Sequence, residues 1–227
     1  MNILIYLGIL IISIMSIYLA KKYLGKQGLA ITFIGMSALS FLLAFKYVTI
    51  STINLNSNSI TIITMFTSLY LLLETTDKKE VKELTNLNFI INIFTGLMLY
   101  IMTYYTQSLT DTISINMKNV FMNTYRILII YPLTTILANY LLIIMYNKIK
   151  NLYDNAFITT VTTYLLIGII EGIIYTMLCY DTIIDYKTII LLILSTYMVR
   201  LIITIIYSLI IPKFTKKKVK SWIVLIS

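Results

Sequence analysis

Apolar stretches close to twenty residues long recur along the whole of this 227-residue chain, and that feature restricts it most. A run of about 20 apolar residues is what a helix needs to cross a hydrocarbon core about 30 Å thick. With 59% of its residues hydrophobic and 12% charged, a soluble domain of this size has too little interior to hide the apolar surface. The sequence predicts an all-α polytopic membrane protein, one integral membrane domain over residues 1–227 built as a bundle of about seven transmembrane helices. The spans fall near 2–20, 29–50, 60–74, 88–105, 120–146, 157–180 and 187–211. The first reads as a retained helix stopped by Lys21 and Lys22, because it lacks a basic leader and "YLAKK" offers no small-residue cleavage site.

The loops set the expected orientation. Lys21, Lys22 and Lys26 follow span one, Lys78, Lys79 and Lys82 follow span three, and Lys148 and Lys150 follow span five. Five more lysines, Lys213, Lys216, Lys217, Lys218 and Lys220, crowd the tail. The opposite side has only Lys118 and Lys187. Basic loops stay in the cytoplasm, so the N-terminus is expected outside and the C-terminus inside, in the cell (cytoplasmic) membrane. The same bias accounts for the net charge of +9, which therefore does not point to nucleic acid. "TTDKKEVKEL" reads as a short surface helix, with Asp77 and Glu80 at capping-box spacing. The basic tail 213–227, with Trp222, reads as an ordinary topogenic tail or as an interfacial segment against anionic lipid.

Charges inside the spans are few. Lys46, Arg126 and Arg200 lie within spans, Glu171 lies mid-span, and Glu74 ends span three. A charge at the bilayer centre costs about 2.5–3.5 kcal/mol on insertion scales, so such groups face a cavity or a partner. Helical spacing gathers polar residues into stripes. Span six carries Tyr164, Gly168, Glu171 and Tyr175, with Gly172 completing a "GIIEG" small-residue pattern that lets a neighbouring helix approach. Span seven carries Thr196, Arg200, Thr204 and Tyr207; span three Thr67, Tyr70 and Glu74; span five Tyr131, Thr135 and Asn139, with Pro132 a kink site. Such stripes enclose a polar interior, or serve as glue between helices, and Lys46 and Arg126 have a second reading as side chains that snorkel to headgroups. Glu171 lies about 14 residues and Arg200 about 11 residues from the same membrane face, a depth difference of about 4–5 Å, so a pair on adjacent helices is expected.

Other chemistries lack their signatures. The chain has no histidine and one cysteine, Cys179, which is expected to pack. It has no phosphate-binding GxxxxGK[ST], no HExxH and no GxSxG. No metal, cofactor or catalytic set is expected.

Several segments between about residues 24 and 212 resemble the queuosine precursor transporter family, also called vitamin-uptake-like. "LGKQGLAITFIGMSALSFLLAFKYV" is similar to the family's Gly-Lys-x-Gly-Leu start and later intramembrane lysine, here Lys46. "SLYLLLETTDKKEVKE" is similar to a family stretch in which Glu74 matches the glutamate. "YRILIIYPLTTILANYLLIIMYNKIK" resembles the family's arginine helix, with Arg126 matching and Asn139 in place of a glutamine. "TTYLLIGIIEGIIY" places Glu171 at an aspartate and Tyr175 at a phenylalanine, and "YMVRLIITIIYSLIIP" places Arg200 at a lysine. Tyr70, Gly168 and Asp77 depart from the family's aspartate, glutamine and glycine, and Ser40 or Phe41 falls near its asparagine.

The resemblance implies a six-helix transporter core plus an N-terminal helix, importing a 7-deazapurine such as cyano- or aminomethyl-deazaguanine. Lys46, Glu74, Arg126, Asn139, Glu171, Arg200, Tyr164 and Tyr175 are the candidate substrate-binding residues. The expected partners are a small purine-like molecule and membrane lipids, with a homo-oligomer left open. Two rivals stand beside this reading: a substrate-binding membrane subunit that works with a separate ATPase module, and a membrane enzyme or structural partner.

Overall fold

A computed structural model describes residues 2–50, 53–104, 125–153, 155–181 and 184–215. Its elements in chain order are α1 (Asn2–Leu43), β1 (Tyr47–Ile50), β2 (Ile53–Asn56), α2 (Ser59–Thr75), α3 (Lys78–Met102), α4 (Tyr125–Leu152), α5 (Ala156–Tyr180) and α6 (Tyr186–Thr215). Five helices are long and apolar enough to cross a membrane, and α2 is a shorter apolar helix. The chain is an all-α membrane protein in architecture. The expectations for Lys118 and for tail positions 216–227 lie outside the described residues.

The count of seven helices is corrected to six among the described residues, because the first two expected spans form one helical element. Gly25 breaks that element with φ 59° and ψ −129°, a conformation that a Cβ opposes. The chain doubles back there. A Cβ on Gly28 would lie 2.1 Å from the carbonyl oxygen of Ala20, and Nδ2 of Asn2 donates to the carbonyl of Thr49 at 2.8 Å. The two arms of α1 therefore lie side by side, and the Gly25 end of the bundle is opposite the β-hairpin end.

The second expected span also stops early. It ends as helix at Leu43, and the run Val48–Thr49–Ile50, β-branched throughout, enters an antiparallel hairpin with Tyr47 opposite Asn56. The hairpin is pinned to α6 by the Ser195 hydroxyl, which donates to the Asn54 carbonyl, and by the Asn56 N–H, which donates to Oγ1 of Thr196 at 3.3 Å. Arg200 lies about 21 Å along α6 from Tyr186, and its contact with Asn58 puts the head of α2 at that level. Irregular backbone at such depth is tolerated where protein buries it, and Asn56, Ser57 and Asn58 are all buried.

From Ser59 to Leu72 every residue of α2 is buried. It is the central helix, packed mainly on α1 and also on α6 and α4. The expected surface helix in the stretch 75–84 is instead the start of α3, from Lys78. Asp77 holds the N-cap position without a side-chain capping bond, and Glu80 turns to Lys26 at 3.2 Å, so the capping-box expectation is met in position alone. Pro132 lies inside α4 without ending it.

Candidate functional site

The deepest charges meet. Arg200 donates through Nη1 to Oε2 of Glu171 and through Nη2 to Oδ1 of Asn58, the latter at 3.4 Å. Glu171 is 2% exposed and Arg200 3%, so both ions are out of reach of bulk solvent. A buried ion pair gives back its desolvation cost only when the remaining hydrogen-bonding positions are also filled. Here they are not: Oε1 of Glu171, Nε of Arg200 and Nδ2 of Asn58 are buried without partners. One acceptor and two donors thus remain unused at one point in the bundle.

A cleft of about 170 Å³ lies between α5 and α6 and reaches the pair through Arg200, while Glu171 and Asn58 are not among its walls. Arg200, Asn56, Thr196, Tyr175, Gly168 and Gly172 are among its walls. An apolar cavity on the order of 150 Å³ is enough for one aromatic ring. The small-residue pattern in α5 does something other than the expected helix approach. A Cβ at Gly168 would meet nothing within 4 Å, and one at Gly172 would meet only Nη1 of Arg200, at 3.5 Å. The two glycines leave room for the guanidinium and for the cleft. Its lip is apolar, formed by Ile169, Ile173 and Leu194, all of them exposed.

Aromatic rings cover the hairpin side of the pair. Tyr175 meets Tyr131 edge-on at 6.2 Å and Tyr180 at 6.3 Å, and Tyr131 stacks on Phe41 at 5.0 Å. The Tyr175 hydroxyl donates to the carbonyl of Ala44 at 3.2 Å. Of the eight residues expected to bind substrate, Arg200 and Tyr175 line this cleft, and Glu171 is joined to it through its pair with Arg200.

The other five lie elsewhere. Tyr164 is buried one level nearer the Gly25 end, edge-on to Tyr70 at 6.2 Å and against Phe66. Asn139 is fully buried, with both side-chain polar atoms unpartnered. Glu74 accepts two bonds from Nζ of Lys150, at 3.0 and 2.9 Å, and the same ammonium donates to the Tyr146 hydroxyl at 2.8 Å. Lys46 is exposed beside the hairpin, where its carbonyl accepts the N–H of Ser57 at 3.0 Å. Arg126 is half-buried in the first turn of α4.

A second polar group sits between α1, α3 and α4. Asn88 and Asn92 donate to Oγ of Ser37 at 3.0 and 2.9 Å, and the Tyr131 hydroxyl donates to the Ser37 carbonyl at 3.3 Å. These bonds join helices, as polar side chains do inside a bilayer. Sequence reasoning missed Asn58. Its signal was the cluster "NLNSNS" at 54–59, three asparagines directly ahead of an apolar helix. Among the described residues no group of three or more His, Cys, Asp or Glu could hold a metal ion. The chain matches no protein-family model, no curated protein and no solved structure, so its functional reading rests on this geometry and on the sequence.

Proposed function

We propose that the chain is a membrane transporter importing a small planar solute of the queuosine-precursor type, a cyano- or aminomethyl-deazaguanine, with its binding site at Glu171 and Arg200. The observation that carries this reading is the buried pair Glu171–Arg200, with polar atoms left unpartnered, whose arginine lines a cleft of ring size. A buried polar atom left unpaired costs about 1–3 kcal/mol, so a ligand in the cleft that hydrogen-bonds Arg200 offsets part of that cost. Small-molecule sites combine apolar walls with a few placed polar groups, and this cleft has both. Tyr175 supplies a flat face near the pair. Asn139 and Tyr164 continue the polar interior toward the Gly25 end, where Glu74 lies; Lys46 and Arg126 serve the hairpin end.

The membrane arrangement belongs to the same proposal. Each arm of α1 crosses once, which with the other five helices gives seven crossings, N-terminus out and C-terminus in. The hairpin then faces outside, and the Gly25 end with Lys21, Lys26, Lys79 and Lys150 faces the cytoplasm. Lipids cover the exposed apolar faces.

Reconstitution in liposomes tests the function. Purified protein should exchange labelled aminomethyl-deazaguanine for unlabelled solute across the bilayer with no ATPase present. Binding without exchange supports the rival reading, a substrate-binding subunit that needs an ATPase module. Neither binding nor exchange for any deazapurine excludes this cargo.

A further inference from the structure

The stretch of α1 just after Gly25, the end of α2 and the start of α3 meet at one end of the bundle, and a cavity of about 270 Å³ opens between them. Leu72 and Val81 are its buried apolar walls, with Leu84 half-buried beside them. Its rim is charged, because Lys26, Glu80 and Glu83 line it and are all exposed. Nζ of Lys26 lies 3.2 Å from Oε1 of Glu80, but the two side chains are 58% and 55% exposed, and a pair so open to water contributes little. Among the described residues Glu83 pairs with no cation. The rim thus sets one positive group against two negative ones. Thr76 is a further wall, and its Oγ1 is buried without a partner. An apolar stripe leaves the cavity along α3. Leu87 is both a wall and exposed, and Ile90, Phe94, Leu97 and Ile101 follow at helical spacing, all exposed. From Leu87 to Leu97 the helix rises about 15 Å, half of a hydrocarbon core about 30 Å thick.

We propose that this cavity is a headgroup site for a phospholipid that carries a primary ammonium, of the phosphatidylethanolamine type. The ammonium donates to Glu80 and Glu83. The phosphate accepts from Nζ of Lys26 and from the Thr76 hydroxyl, and an acyl chain follows the stripe from Leu87 to Leu97. A cavity on the order of 150 Å³ holds an aromatic ring, so this one has room for a compact headgroup. Lys26 and Glu80 give up one weak, solvent-screened contact, and each gains a charged hydrogen-bonding partner in its place. Other headgroups fit the rim less well. A quaternary ammonium, as in phosphatidylcholine, has no N–H to give the carboxylates. Phosphatidylglycerol brings a phosphate and no cation, so it adds a negative charge beside Glu80 and Glu83. A water-soluble zwitterion would satisfy the rim and leave the apolar stripe uncovered. The inference goes beyond the transport reading and does not depend on it, nor on which side faces the cytoplasm, because the Gly25 end lies at a membrane interface in either orientation.

The test uses the purified full-length protein in detergent, titrated with dioleoyl phosphatidylethanolamine, phosphatidylcholine and phosphatidylglycerol and read by native mass spectrometry. The wild type should retain the ethanolamine lipid at least about fivefold more tightly than either of the others. The double variant Glu80→Gln with Glu83→Gln turns the rim from one net negative charge to one net positive charge. It should bind the ethanolamine lipid no better than the choline lipid and should now favour phosphatidylglycerol. Both glutamates are exposed, so the fold should hold, and the unfolding midpoint without lipid checks this. Ala30, another wall, gives a second variant. Ala30→Trp fills the cavity without changing its charge, and it should abolish the preference for the ethanolamine lipid. Equal retention of the ethanolamine and choline lipids by the wild type overturns the proposal, since acyl chains alone then account for binding. A wild-type preference for phosphatidylglycerol also overturns it and assigns lipid binding to the basic residues around the Gly25 turn. So does an ethanolamine preference that survives in the folded glutamine variant.

Discussion

Arg200 on α6 holds Glu171 on α5 through Nη1 and Oε2, and neither side chain exposes more than 4% of its surface. Both ions lie inside the bundle rather than against its apolar outer face. The same guanidinium reaches Asn58 at the head of α2, so three elements meet on one cation.

Removing one partner leaves a buried, uncompensated charge, at a cost of about 3–5 kcal/mol. Arg200→Met should therefore lower the unfolding midpoint and the yield of folded protein, and Glu171→Gln should cripple uptake. The double variant Glu171→Gln with Arg200→Met should recover the midpoint while uptake stays lost. Recovery of uptake in the double variant would assign the pair a purely structural role.

The pair Glu74–Lys150 is expected to behave differently. Its side chains are 20% and 48% exposed, and water and salt screen such a pair. A double-mutant cycle with Glu74→Gln and Lys150→Met should give a coupling of at most about 1 kcal/mol, falling as salt rises. A coupling several times larger, insensitive to salt, would contradict this.

The fold-back in α1 sets a third expectation. Gly25 has φ 59°, and Gly25→Ala should cost about 1–3 kcal/mol in backbone strain. Gly28→Ala should be at least as damaging, because its Cβ would lie 2.1 Å from a backbone oxygen of the facing arm. Gly35→Ala is the control: nothing lies within 4 Å of its Cβ, and Ala favours helix, so the midpoint should hold or rise.

Asp185 gives a pH signature outside the membrane-spanning helices. Oδ1 accepts the Thr188 hydroxyl at 2.7 Å and Oδ2 its N–H at 3.0 Å, and these bonds hold the carboxyl below its usual range. A depressed folded value means that the contribution is full above the unfolded pKa, near 3.8, and is lost as pH falls through the folded value. Hydrogen exchange at the first turn of α6 should therefore quicken below about pH 4 in the wild type, with Asp185→Asn lacking that step.

The sequence legibly encodes what depends on length and period. The apolar runs mark the membrane helices, and the depth arithmetic brings Glu171 to Arg200, because helical rise is nearly constant. It conceals what depends on tertiary contact. An apolar run through Val48 and Ile50 suits a helix or a strand equally, and only docking on α6 selects the hairpin. Gly25 sits among lysines and reads as loop, yet one residue suffices to reverse a helix there. Gly168 and Gly172 have helix-packing spacing, but a guanidinium and a cleft occupy the space. Tyr164 and Tyr175 share a stripe, yet eleven residues at about 1.5 Å each separate them by about 16 Å along the helix, too far for one small ligand.

Orientation gives the final prediction. In the proposed orientation, which follows the lysine asymmetry, the hairpin lies outside and the Gly25 end in the cytoplasm. The exposed positions that report on this are Thr49, on β1, and Lys79, in the first turn of α3; Ser57 is buried and would label poorly from either side. The native Cys179 is buried, and Cys179→Ser supplies a background free of thiols. In intact cells a membrane-impermeant maleimide should modify Thr49→Cys and spare Lys79→Cys until the membrane is opened. Labelling in the reverse order would invert the orientation, placing the hairpin toward the cytoplasm and the Gly25 end outside, against the lysine asymmetry.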